Sequence, residues 1–252
     1  IFDIIMKRKR GYNMSRIFIT GDTHGSYDIQ KLARKNFPEG KTLTKDDYVM
    51  ICGDFGCVWG GELAGSDRWW QNWLDEQPWT TLWVDGNHEN HDLLKTYPIE
   101  NWNGGRIHKI NNSIFHLMRG EIFTLNNQTF LAFGGGYSTD RVYRKEGISW
   151  WKGELPTHEE VNHALTNLKK YHNQVDYILS HDAPRDIKEY LGFYDSCDMT
   201  VYGDEYEDIH SVLYLLKKTI QFQDWYLGHY HIDKDIGSMH ILYHQIIEIT
   251  HK

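Results

Sequence analysis

Gly86-Asn87-His88-Glu89 sets two chemically different side chains next to each other, directly after the apolar run Leu82-Trp83-Val84. The amide oxygen of Asn87 is a hard, neutral metal ligand, and the imidazole of His88 gives or takes a proton near neutral pH. Gly86, lacking a Cβ, lets the backbone turn sharply where the run ends. Taken alone the tetrapeptide is most simply a turn. Four other stretches share its make-up. Asp22 and His24 follow the apolar run Ile17–Thr20, Asp54 follows Tyr48–Cys52, His181 follows residues 175–180, and His229 and His231 follow Asp224–Leu227. Seven oxygen and nitrogen donors after five strand ends suit two hard or borderline divalent ions. Asp54 is the candidate bridge, since each of its carboxylate oxygens can take one ion. No cysteine is among the seven, which disfavours a structural zinc site.

The elements that would position these residues read as an α/β chain. In open α/β sheets the loops at the carboxyl ends of strands gather on one edge, where ligands bind. Between the strands, residues 26–37 read as a helix with Ile29, Leu32 and Ala33 on one face, and residues 67–76 as a helix with Trp69, Trp70, Trp73 and Leu74 facing the core. A short helix at 92–96 is stopped by Pro98. The middle of the chain changes character: 107–110, 114–118, 122–125 and 129–133 are strand-like and separated by Asn- and Gly-rich turns, the pattern of an antiparallel meander. Gly134-Gly135-Gly136-Tyr137-Ser138 then reads as a flexible turn, with Arg141 and Arg144 just beyond. Thr157 and Glu160 form a capping box ahead of the apolar face Val161, Ala164, Leu165, Leu168 and Tyr171, and residues 207–219 make a further helix. Short strands at 239–242 and 246–249 close the chain.

Composition narrows the class. With 40% apolar residues, including 10 Trp, 10 Phe and 16 Tyr, the 252 residues can bury a sizeable core. No run approaches the ~18 apolar residues of a membrane span. Three cysteines, Cys52, Cys57 and Cys197, show no paired spacing, so a reducing cytoplasmic setting is the default. Residues 1–13, with Lys7 to Arg10, share no pattern with the rest of the chain and read as a disordered leader or remnant, leaving residues 14–252 as one domain. Without that stretch, which carries four basic residues and one acidic one, the net charge of −8 becomes −8 − 3 = −11. An acidic body argues against sequence-independent nucleic-acid binding, though not against a phosphate substrate when cations supply the positive charge.

In order along residues 16 to about 235, Asp22-x-His24, Gly53-Asp54, Gly86-Asn87-His88-Glu89, His181 and Gly228-His229-x-His231 resemble the motifs of the calcineurin-like metallophosphoesterase superfamily. The resemblance implies a β-sandwich flanked by helices, four layers in all, around a dinuclear centre. Asp22, His24 and His231 would hold one ion, Asn87, His181 and His229 the other, with Asp54 bridging. His88 would be the catalytic imidazole. The implied activity is hydrolysis of a phosphate ester, with two divalent ions, Mn²⁺ first and Fe, Zn, Ni or Mg as alternatives, sharing a hydroxide while His88 protonates the leaving oxygen. Asn87 would also touch the substrate.

One departure limits the resemblance to Ser/Thr protein phosphatases. Three residues beyond the bridging Asp that group carries Asp-Arg-Gly; here Cys57, Val58 and Trp59 stand there. Arg141 is the replacement candidate for gripping phosphate. Rival readings are a protein-phosphatase-like activity, a nucleic-acid phosphodiesterase, and a non-catalytic scaffold of the same fold.

Overall fold

The computed structural model describes residues 14–60 and 64–249, so the leader expected over residues 1–13 lies outside it. In chain order come β1 (Ile17–Thr20), β2 (Tyr48–Cys52), α1 (Ala64–Asp75), β3 (Thr80–Val84), α2 (His91–Leu94), β4 (Ile99–Trp102), β5 (Gly105–Asn111) and β6 (Ile114–Leu117). Next are β7 (Ile122–Leu125), β8 (Gln128–Phe133), α3 (His158–Lys170), β9 (Tyr177–Ser180) and α4 (Arg185–Tyr190). The chain closes with α5 (Ile209–Thr219), β10 (Asp224–Leu227), β11 (Lys234–Ile236), β12 (Met239–Ile241) and β13 (Ile246–Glu248).

The strands form two sheets. One is ordered β13-β1-β2-β3-β6-β5-β4 and the other β11-β12-β10-β9-β8-β7. Their centres are parallel, β1 with β2, β2 with β3, β8 with β9, and β9 with β10, while hairpins and antiparallel strands make the edges. Side chains alternate between two apolar environments, as a strand buried on both faces requires. Ile17, Met50, Leu82, Phe130 and Leu179 pack in the core between the sheets. Phe18, Ile51 and Trp83 point the other way, onto Trp70 and Leu74 of α1. Leu131, Ile178 and Trp225 meet Ala164, Leu168, Leu213 and Leu216 of α3 and α5. The result is the β-sandwich flanked by helices.

Three expectations need correction. Residues 26–37 hold only a short 3₁₀ turn, Ile29–Leu32, after which Ala33 is extended (φ −68°, ψ 149°). The Lys31 ammonium donates to the carbonyls of Gly21 (3.0 Å), Asp22 (2.6 Å) and Tyr243 (2.5 Å), drawing this segment across the loop instead of winding it. In α1, Asp67, Trp70 and Leu74 are buried but Trp69 is 56% exposed, so the core-facing stripe is narrower than the tryptophans suggest. The meander is split: β4, β5 and β6 are antiparallel in one sheet, whereas β7 and β8 pair in the other. Among the described residues no helix is long and apolar enough to cross a membrane.

The helices that back the second sheet are set by local signals. Thr157 Oγ1 accepts from Glu160 N, and the Glu160 carboxylate accepts from Thr157 N at 2.8 Å, closing the capping box at the start of α3. Asp208 caps α5 by accepting from His210 N at 3.0 Å.

Candidate metal centre

The five strand ends come from both sheets. Asp22 and His24, Asp54, and Asn87 follow β1, β2 and β3, and face His181 after β9 and His229 and His231 after β10 across the sandwich edge. Bringing them together bends the chain sharply. His24, Asp54, His229 and His231 all have positive φ, 41°, 43°, 69° and 51°. Such conformations cost free energy in residues with a Cβ and gather where function requires them. Glycine is obligatory at two neighbouring positions: a Cβ on Gly86 would lie 2.1 Å from Asp54 Oδ1, and one on Gly53 would lie 2.2 Å from His181 Nδ1.

Donor atoms converge on two points. Asp22, His24 and His231 form one group, with His231 Nε2 3.2 Å from Asp22 Oδ2. Around His181 Nε2 lie Asn87 Oδ1 at 3.1 Å, His229 Nδ1 at 3.1 Å and Asp54 Oδ1 at 3.3 Å. Asp54 Oδ2 reaches the first group through His24 Nε2 at 3.2 Å, so this carboxylate stands between the two. One proton on His181 Nε2 can satisfy a single neighbour; a cation satisfies them all. Asp22 Oδ2 is buried and faces only imidazole nitrogens, His231 Nε2 at 3.2 Å and His24 Nε2 at 4.0 Å, an arrangement that suits a shared cation. The charge balance agrees. Burial opposes a charged His181, but Asp54 and Asp22 outweigh it and push its pKa up to about 10. The residues therefore fit divalent ions.

Neighbouring groups orient these donors, as they do around bound metals. His181 donates from Nδ1 to Cys52 O at 2.9 Å, leaving Nε2 to the centre. His24 Nδ1 meets Asp28 Oδ2 at 2.6 Å. Asn87 donates its amide to Ser138 Oγ at 3.1 Å, and Ser138 donates to Glu154 Oε2 at 2.6 Å, so the amide oxygen must face inward. Glu89, fully buried, accepts from Phe55 N at 2.6 Å and holds the loop that carries Asp54. Below Asn87, Asp85 is clamped by Arg119, whose Nε donates at 2.9 Å, and by His116 at 3.0 Å. The glycine loop is a packed part of this shell. Gly135 N donates to Asp85 O at 2.8 Å, and a Cβ on Gly136 would sit 2.8 Å from the His181 ring.

His88 sits beside the donors. Its backbone N–H donates to Asp54 Oδ1 at 2.8 Å, and its ring packs edge-on against His24 with centroids 5.6 Å apart. Burial lowers its pKa; Asp54 pulls the other way and Arg144 adds to the lowering. Of the two arginines after the glycine loop, Arg144 is in contact with this ring, Nη2 to Nε2 being 3.1 Å, and is tethered to Asp140 at 2.7 Å. Arg141 turns away to Asp198 at 2.8 Å and lies over the rings of Tyr137 and Tyr202. Cys57 and Val58 are fully buried beneath the site, while Trp59 lines the cavity beside His24 and His88.

Glu154 gives the shell a pH dependence. Burial lifts its carboxyl from 4.5 to about 7, although Ser138 and Tyr202 donate to it. A raised folded pKa means that the stabilisation is complete below the unfolded value and lost as pH rises through about 7. At about 1.36 kcal/mol per unit the loss amounts to roughly 3 kcal/mol. Glu154→Gln, permanently neutral, should flatten the fall in melting temperature between about pH 5 and about pH 8. An unchanged slope in that variant would exclude Glu154 as its source.

A sequence model described as calcineurin-like phosphoesterase matches residues 15–231. No protein with a curated description matches the chain. Among solved structures, the sulfate thiohydrolase SoxB of Thermus thermophilus, in complex with glycerol, is 13% identical. That match covers 92% of this chain and 52% of that one, with a TM-score of 0.44, so this chain spans about half the length of that enzyme. Another crystal structure is 9% identical over 94% of this chain and 98% of that one, with a TM-score of 0.43.

Proposed function

The chain belongs to the calcineurin-like phosphoesterase family, and we propose that it hydrolyses phosphate esters at the edge between its two sheets, His88 protonating the departing oxygen. The observation that carries this reading is the convergence of Asp54, Asn87 and His229 on His181 Nε2, with Asp22, His24 and His231 grouped beside them. Asp22, His24 and His231 would hold one divalent ion, Asn87, His181 and His229 the other, with Asp54 between them. When bound, such ions neutralise phosphoryl oxygens and supply a nucleophile at neutral pH. Mn²⁺ is the first choice.

The chain's own groups do the rest. Asp28, Cys52 and Ser138 fix which atoms of His24, His181 and Asn87 face the centre. His88 is tied through its N–H to Asp54, so its ring keeps a set place beside the reacting phosphate. Burial makes the His88 imidazolium a stronger acid when protonated but lowers the fraction that carries the proton near neutral pH. Its role as donor to the leaving alkoxide therefore rests on its place beside the centre. Arg144, in contact with His88, takes the phosphate-gripping role in place of Arg141. Arg144→Ala should raise KM about 10-fold or more, the order of one lost charged hydrogen bond, while Arg141→Ala should change it far less. A larger KM effect at Arg141 would reverse that assignment.

The reading is tested with Mn²⁺-loaded protein on paired chromogenic mono- and diester substrates. Turnover of at least one, abolished by chelation and restored by metal, is expected. No turnover of either leaves the scaffold reading standing instead.

A further inference from the structure

The wall of the cavity is aromatic where phosphate chemistry alone would have no use for it. A cavity of about 550 Å³ opens beside His24, His88 and His231, and its other boundary includes Tyr27, Trp59 and Tyr243. That volume is in the range of small-molecule sites and far exceeds what a phosphoryl group fills. Three residues after Asp54 the chain buries Cys57 and Val58 and delivers Trp59 to this space.

Trp59 is held rigidly. Its N–H donates to Asp67 Oδ2 at 2.7 Å, its carbonyl accepts from Asn90 Nδ2 at 2.8 Å, and its ring stands edge-on against the buried Trp151, with centroids 5.2 Å apart. Tyr243 is likewise anchored: Asp233 Oδ1 accepts from its N–H at 2.7 Å, and its ring lies parallel to His231, 4.7 Å away. Tyr27 differs. It is 84% exposed at the mouth of the cavity, and its ring meets no other ring among the described residues. A pre-set indole and an unpartnered phenol beside a phosphate site form a stacking surface, since aromatic faces and edges recognise other planar rings.

We propose that this cavity is a subsite for a planar aromatic group on the organic side of the substrate, with Trp59 and Tyr27 as the contacting walls. The proposal rests on the phosphoesterase reading above and adds the class of ester: a nucleoside or aryl phosphate in preference to an alkyl one. Asp67 and Asn90 are positioning residues for Trp59.

Binding tests it without relying on turnover. The Mn²⁺-loaded chain is titrated calorimetrically with phenylphosphonate, cyclohexylphosphonate and methylphosphonate, which share one head group. Phenylphosphonate should bind about 10-fold tighter than methylphosphonate and clearly tighter than cyclohexylphosphonate, which has the bulk without the planarity. A nucleoside 5′-phosphonate in a further arm distinguishes a nucleobase from a simple aryl ring, and tighter binding of either supports the subsite. In Trp59→Ala the phenyl-to-methyl ratio should fall toward one. Tyr27→Ala, at an exposed position that the fold does not depend on, should lower it too. Equal affinities in the wild type, or a ratio unmoved by both substitutions, overturns the subsite while leaving the phosphoesterase reading intact. Failure of every phosphonate to bind overturns the phosphoesterase reading and the subsite with it.

Discussion

His88→Ala is expected to keep its bound metal and lose turnover by about 10²–10⁴-fold, the usual worth of a positioned general acid. The geometry separates the two effects. The side chain meets Arg144 at 3.1 Å, and what ties His88 to Asp54 is its backbone N–H, which alanine retains. The loss should grow with the pKa of the leaving group, because an alkoxide needs the proton and a nitrophenolate departs without it. Stopped assays on a series of esters, with elemental analysis of the same samples, read both quantities. Equal losses across the series, or a fall in bound metal, would make His88 a ligand or a positioning group.

Asp54→Asn should remove most of the metal and nearly all activity on every ester. Asp54 is buried and held ionised: burial works against the charge, but His181 and His88 outweigh it and keep the pKa well below the ordinary carboxylate range. Its two oxygens stand 3.2 Å from His24 Nε2 and 3.3 Å from His181 Nε2, one toward each group of donors. An amide keeps the shape but presents one oxygen where two are needed, and it withdraws a charge. Replacing a residue that merely orients a ligand costs about 10–100-fold in metal affinity, so loss of the bridge should exceed that. A variant that binds metal normally and remains active would remove Asp54 from this role.

The legible part of the sequence was the part governed by local physics. Strands buried on both faces are unbroken apolar runs, so β1, β2, β3, β9 and β10 stood out, and each led into its donor residues. The strands that went unrecognised, β4 and β11, are mostly exposed and carry little apolar signal. Arg144 and Arg141 lie three residues apart, and which one meets His88 depends on a 3₁₀ turn at Arg141–Tyr143 that no periodicity announces. The orienting groups were equally hidden. Ser138 is 51 residues from Asn87, and Cys52 is 129 residues from His181. Only Glu89 had a signal, its place directly after His88.

The central claim is that two ions sharing Asp54 make one phosphoesterase centre. Titrating metal-free protein with Mn²⁺, and following ester hydrolysis and bound metal in the same samples, tests it most directly. Turnover should stay low at one ion per chain and reach its full value at two. Full activity at a single bound ion would contradict the shared centre, and no hydrolysis with two ions bound would contradict the function.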